Sequence, residues 1–152
     1  MVSNTKIVEF KDIINTKNST KYMGHLVPIE VGEDIPFVVN RLYYITDVPK
    51  NETRGYHSHN DLEQVLICLH GSVTIKVNTP YEEEYVVLNK VNQGLYIGPM
   101  VWREMYDFSD DAVLLVLASK HYDEADYIRD YNEYCHMAEA YFEGGRKAHD
   151  TI

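Results

Sequence analysis

Arg54-Gly-Tyr-His-Ser-His-Asn-Asp-Leu-Glu-Gln64, running straight into Val65-Leu-Ile-Cys-Leu-His-Gly71, is the stretch on which the reading of this chain turns. His57 and His59 stand two apart. In a β-strand such residues point to the same face, so both imidazoles enter one space. Glu63 follows at the same parity, and Arg54 precedes. Residues 65–69 form an apolar run closed by a glycine, the pattern of a buried strand. A β-barrel uses this spacing to put two ligands or two acid/base groups into its lumen.

Working outward, most segments read as short strands. Upstream, residues 37–48 are rich in β-branched and aromatic side chains, and Arg41, Tyr43 and Ile45 share one face. Downstream, 72–78 alternates apolar and polar, 85–88 is short and β-prone, and 94–97 and 101–106 flank a turn at Gly98-Pro99. Residues 112–119 are apolar throughout. Near the N-terminus, 6–14 suggests a strand and a turn, 15–21 a polar loop, and 24–30 an edge strand marked by Pro28. After Asp123, Tyr127, Ile128, Tyr131, Tyr134, Cys135 and Ala138 recur at spacings of three and four, which predicts one or two short helices. Residues 144–152 read as a flexible tail. Many short strands with regular turn signals predict one mainly all-β, antiparallel sandwich or barrel domain over 1–143, with short C-terminal helices.

Composition narrows the function. The 152 residues suit a single domain with a sizeable core. Net charge is −10, which argues against a general nucleic-acid or anionic-membrane surface. A local basic pocket for an anionic small molecule stays open. Two cysteines, Cys68 and Cys135, make no disulfide framework and fit a reducing compartment. No signal-like leader and no run near ~20 apolar residues is present, so a cytoplasmic protein is expected.

Three uses of the histidines are open. With Glu63 they could supply ligands to a divalent metal. As groups titrating near neutrality they could move protons. Hydrogen-bonded in a polar core, they could be structural. His57, His59 and Glu63 match the first motif of the cupin barrels, resembling G-x5-H-x-H-x3-4-E-x6-G, although Gly71 follows after seven residues rather than six. The second cupin motif resembles G-x5-P-x-G-x2-H-x3-N and supplies a fourth ligand. Here the corresponding stretch is Gly94-Leu-Tyr-Ile-Gly-Pro-Met-Val-Trp-Arg-Glu104, with Glu104 at the histidine position and Arg103 beside it. An arginine repels a divalent cation and cannot become its ligand. Arg41, Arg54 and Arg103 instead suit a phosphate or diphosphate, which guanidinium groups hold through paired, charge-assisted bonds.

Four blocks in order carry a more specific likeness. They are Arg41-Leu-Tyr43-Tyr-Ile, the 54–66 stretch, Gly94 to Met105 with Trp102 inside it, and Tyr122-Asp-Glu-Ala-Asp-Tyr-Ile-Arg129. Over about residues 6–134 the chain resembles the dTDP-sugar 3,4-ketoisomerases, the WxcM-like cupins. The resemblance implies a jelly-roll cupin barrel that isomerises dTDP-4-keto-6-deoxy-D-glucose to its 3-keto isomer with no metal and no cofactor. A separate enzyme then aminates C3, for a deoxyamino sugar of a surface glycan. By position, His57 resembles the catalytic base, Tyr43 a proton-shuttling partner and His59 a second active-site histidine. Arg41, Arg54, Gln64 and Arg103 form the implied substrate-binding set. Family likeness also implies a homodimer with exchanged N-terminal strands, here near Ile7–Phe10. Arg103 stands where galacto-product members have histidine, and Met23 where they have arginine, so the gluco-product subgroup is the expectation. A galacto product, a 3,5-epimerase on the same substrate and a non-catalytic sugar-nucleotide-binding cupin are the alternatives.

Overall fold

The period-2 patterns become two antiparallel sheets laid face to face. The structure is a computed structural model that describes residues 1–14 and 21–150, with side chains described to 144. The strands are β1 (Thr5–Glu9), β2 (Arg41–Thr46), β3 (Arg54–His59), β4 (Gln64–His70), β5 (Val73–Asn78), β6 (Glu83–Leu88), β7 (Gln93–Ile97), β8 (Trp102–Tyr106), β9 (Val113–Ala118) and β10 (Tyr127–Ile128). One sheet runs β1-β7-β4-β9-β2 and the other β10-β3-β8-β5-β6. This is the mainly β, jelly-roll arrangement the strand pattern and the resemblance imply.

Alternation decides what fills the space between the sheets. Leu66 and Cys68 of β4, Leu95 and Ile97 of β7, and Leu114 and Val116 of β9 meet Val73, Ile75 and Val77 of β5 in one buried cluster. The apolar run of β4 breaks alternation because its other face is covered too. Val65 and Ile67 point outward and pack with Phe10, Ile35 and Leu117. Val27, Ile29, Phe37 and Val39, from the segment preceding β2, complete that cover. A strand buried on both faces has no polar side to show.

This cover explains two departures from the sequence reading. The edge strand expected over 24–30 reduces to a single bridge between Leu26 and Ile13. Pro28 offers no N–H to a ladder, and Val27 and Ile29 are held flat against the first sheet instead. Likewise only Arg41–Thr46 of the 37–48 segment forms a strand, paired along its length with β9. The loop expected at 15–21 falls, for 15–20, outside the described residues.

The C-terminal segment also differs. Asp123 caps a 3-10 turn at Glu124–Asp126 by accepting from the Ala125 N–H at 3.0 Å. Tyr127 and Ile128 then pair with His59 and Ser58 as β10, rather than opening a helix. One helix follows, α1 (Tyr131–Asp150), which carries the chain into the stretch assigned to a tail; 151–152 lie outside the described residues. Its buried residues Tyr134 and Ala138 pack on Met100, Trp102 and Ile128. Among the described residues no helix is long and apolar enough to cross a membrane. β1 pairs with β7 of its own chain, Thr5 opposite Ile97 through Glu9 opposite Gln93.

Candidate active site

A defect in β3 builds the site. Gly55 faces Glu104 and His57 faces Arg103, so Tyr56 is an extra residue on the β3 side. Such a bulge re-aims the side chains that follow. Gly55 and Tyr56 have φ of 97° and 56°. A Cβ on Gly55 would lie 2.8 Å from the Arg103 carbonyl oxygen, so this position needs glycine. Beyond the bulge the two imidazoles lie together, ring centroids 4.9 Å apart and nearly perpendicular at 84°. The Tyr127 ring packs against both, at 4.9 Å from His57 and 4.4 Å from His59.

Hydrogen bonds set the tautomers. His57 Nδ1 lies 3.1 Å from the Gly55 carbonyl oxygen, and His59 Nδ1 lies 3.0 Å from Asp126 Oδ2. Both partners can only accept, so both Nδ1 atoms carry the proton and both Nε2 atoms offer a lone pair. His59 Nε2 is buried and has no hydrogen-bond partner among the described residues. Asp126 is held in turn, its second oxygen accepting the Asp61 N–H at 3.0 Å. Burial, then the Arg103 charge, lowers the His57 pKa to about 3. The same two causes, with His57 next, hold His59 lower still. Both imidazoles are therefore neutral at pH 7, and the His59–Asp126 contact is a hydrogen bond rather than an ion pair.

A linked chain of polar groups runs from Arg103, on β8 beside β3, to Gln64 and Tyr43 of the opposite sheet. Arg103 Nη1 donates to Gln64 Oε1 at 2.5 Å and Nη2 to the Val101 carbonyl at 3.0 Å. Gln64 Nε2 donates to the Tyr43 hydroxyl oxygen at 3.1 Å. Burial lowers the Arg103 pKa to about 10, which leaves it a cation at neutral pH. Burial also raises that of Tyr43, so its phenol is protonated there. The Arg41 guanidinium lies 5.3 Å from the Tyr43 ring centre and 5.8 Å from that of Tyr122, with Nε buried and unpartnered among the described residues.

A cleft of about 400 Å³ gathers Arg41, Tyr43, Arg54, His57, Tyr127 and Arg129. An adjoining cavity of about 220 Å³ is lined by His59, Asp126, Lys120 and again Arg41 and Tyr127. Four of the residues singled out from sequence thus share one cleft: Arg41, Tyr43, Arg54 and His57. His59 opens on the neighbouring cavity. Gln64 and Arg103, implied as substrate-binding residues, line neither; they are 3% and 1% exposed and bonded to each other behind the cleft. Glu63 departs from the expected parity. Its carboxylate accepts the Tyr96 O–H at 2.7 Å, on the side of the first sheet that carries the Phe10 cluster. The turn at residues 60–62 moves the chain from one sheet to the other and resets the parity. Among the described residues no three His, Cys, Asp or Glu side chains are grouped to hold a metal.

Asp126, Tyr127 and Arg129 are the site residues that motif reading missed. Arg129 donates to Glu124 at 2.8 Å and lies 4.3 Å from the Tyr127 ring centre. The spacing of Tyr127 and Arg129 at i and i+2, read as a strand rather than a helix, is the signal that would have found them.

Known proteins share this sequence and architecture. The model of the FdtA family, described as WxcM-like, C-terminal, matches residues 3–139. The chain is 46% identical over 129 residues to a TDP-4-oxo-6-deoxy-alpha-D-glucose-3,4-oxoisomerase of Aneurinibacillus thermoaerophilus, covering 85% of this chain and 88% of that one. A histidine-to-asparagine mutant of the 3,4-ketoisomerase QdtA from Thermoanaerobacterium thermosaccharolyticum, solved with TDP-4-keto-6-deoxyglucose, is 55% identical. It covers 91% of this chain and 96% of its own, with a TM-score of 0.84. The TDP-quinovose 3,4-ketoisomerase WlaRB from Campylobacter jejuni is 43% identical over 89% of this chain and 99% of its own, with a TM-score of 0.80.

Proposed function

We infer the reaction from the family: this chain belongs to the FdtA, WxcM-like family, whose model matches residues 3–139. It is an isomerase, a TDP-sugar 3,4-ketoisomerase. We propose that its substrate is TDP-4-keto-6-deoxy-D-glucose and its product TDP-3-keto-6-deoxy-D-glucose. One observation carries the chemistry. His57, neutral and with Nδ1 tied to its own strand, lines a cleft together with the Tyr43 phenol and three arginines.

The C3 hydrogen is acidic because its removal beside the C4 ketone gives an enediolate. His57 Nε2 takes that proton and returns it to C4. The O3 proton must reach O4, and Tyr43 is the group placed to carry it. A well-placed acid or base is worth about 10²–10⁴-fold. Stabilisation of the enediolate by donors in a water-poor cleft supplies more. His59, held neutral by burial and the Arg103 charge and oriented by Asp126, is the second histidine of the set. Arg41 and Arg54 face the diphosphate, for which Arg129 is a third candidate. The gluco configuration rests on Arg103 and Met23 standing where the galacto subgroup has histidine and arginine. Quinovose is 6-deoxyglucose, so the likeness to WlaRB supports the same configuration. The product suits amination at C3 in the cytoplasm, where nucleotide sugars are made. β1, at the edge of its sheet, is the strand a homodimer would exchange.

Proton NMR of the purified protein with TDP-4-keto-6-deoxyglucose, without added metal, tests this reading. The expected result is a 3-keto sugar with an equatorial C4 hydroxyl, and in D₂O deuterium confined to C4 of the product and C3 of the recovered substrate. No turnover, or deuterium at C5, overturns the reaction; an axial hydroxyl overturns the product.

A further inference from the structure

Arginine only donates hydrogen bonds, and this fixes how the Gln64 amide must point. Arg103 Nη1 approaches Gln64 to 2.5 Å, so the amide atom facing it is the carbonyl oxygen. Turning the amide over would set an NH₂ against a guanidinium. Gln64 and Arg103 are both nearly fully buried, so no solvent competes for either group. The amide nitrogen is thereby directed at Tyr43, 3.1 Å away, and the phenolic oxygen is the acceptor of that bond. The Tyr43 proton is left to point elsewhere. It has no acceptor among the described residues, and the Tyr43 side chain lines the 400 Å³ cleft.

We infer that Gln64 is a positioning residue that acts through Tyr43: clamped by Arg103, its amide holds the phenol so that the O–H proton points into the cleft as a donor. The inference deepens the ketoisomerase reading and rests on it. It also explains why a neutral amide stands between an arginine and a phenol. The Arg103 charge polarises the Gln64 N–H, which favours charge on the phenolic oxygen without placing a cation in the cleft. Both the Gln64 bond and the Arg103 charge oppose the rise that burial imposes on Tyr43.

Protons balance in the step. As the C3 proton passes to His57 Nε2, Tyr43 gives its O–H proton to O4 and receives the O3 proton on the same oxygen. His57 then returns its proton to C4. The substrate has lost hydrogen from C3 and O3 and gained it at C4 and O4, and both side chains end as they began. A Tyr43 hydroxyl turned away from the cleft could not begin this exchange.

Gln64→Glu is the direct test. A carboxylate keeps an acceptor for Arg103 but offers the phenol an acceptor in place of a donor, so the Tyr43 proton turns toward residue 64. The expected result is a fall in kcat of about 10–100-fold, with KM and the Kd for TDP changed less than about threefold. Combined with Tyr43→Phe, Gln64→Glu should cost nothing further, because the group it acts through is gone. Gln64→Met, which has no N–H, should behave alike and serves if the carboxylate prevents folding, judged by circular dichroism and TDP binding. A variant that folds and keeps wild-type kcat overturns the inference. So does a rise in KM at unchanged kcat, which would make Gln64 a substrate ligand, and so do losses that multiply in the double variant. Failure of the wild-type protein to turn over the substrate overturns the underlying reaction instead.

Discussion

β3 and β4 are separated by four residues, 60–63, and could hardly be built more differently. β3 carries two positive-φ residues, a bulge and polar side chains at most positions, and its partners are the Arg103 strand and β10. β4 pairs on both edges, and from Val65 to Cys68 it is apolar and buried on both faces. The two strands also lie in opposite sheets. The contrast assigns the costs of the fold. Strain, desolvated imidazoles and an unpartnered His59 Nε2 are concentrated in β3, and the packing of β4 and its neighbours stabilises the molecule enough to hold them. Strained residues persist only where their surroundings over-determine them.

Each strand can be attacked separately. His57→Asn should lower kcat by about 10²–10⁴-fold with a small change in melting temperature, because it removes a base whose half-buried ring contributes only its contacts with His59 and Tyr127. An equal loss of stability would mean that β3 also supports the fold. Ile67→Ala should do the converse. It deletes buried methyl groups on the covered outer face of β4, at a cost of about 2–5 kcal/mol by denaturant unfolding, while kcat per folded molecule stays near wild type. A fall in kcat there would show that the core and the site are not separable. Gly55→Ala should disturb both, since it forces a Cβ to 2.8 Å from the Arg103 carbonyl at a positive φ. About 1–3 kcal/mol of stability is expected to go, with a smaller loss of kcat than for His57→Asn, as the histidine is displaced rather than removed.

Much of this was legible in the residues. Strand positions from 54 to 119 follow from alternation and turn signals, and the His57-x-His59 spacing put both imidazoles on one face. Tyr43, Arg41 and Arg54 reach the cleft as their faces and the family likeness imply. Tyr127 reads as part of a helix rather than of the site because its spacing to Tyr131 and Tyr134 also fits a helix. A two-residue strand leaves too short a pattern to decide the period.

What the sequence determined by itself is the side of each strand on which a residue stands, because a period of two is a local property of the backbone. What only the tertiary structure decided is what lies on that side. Glu63 turned to the outer layer because the chain changes sheets after His59. Gln64 and Arg103 became partners across the lumen because β4 and β8 belong to facing sheets. Asp126 came to His59 because β10 returns to β3 from 67 residues away. None of these meetings has a period to read, since they depend on which distant segment covers a face, and burial by that segment makes His57 a neutral base and Arg103 a buried clamp.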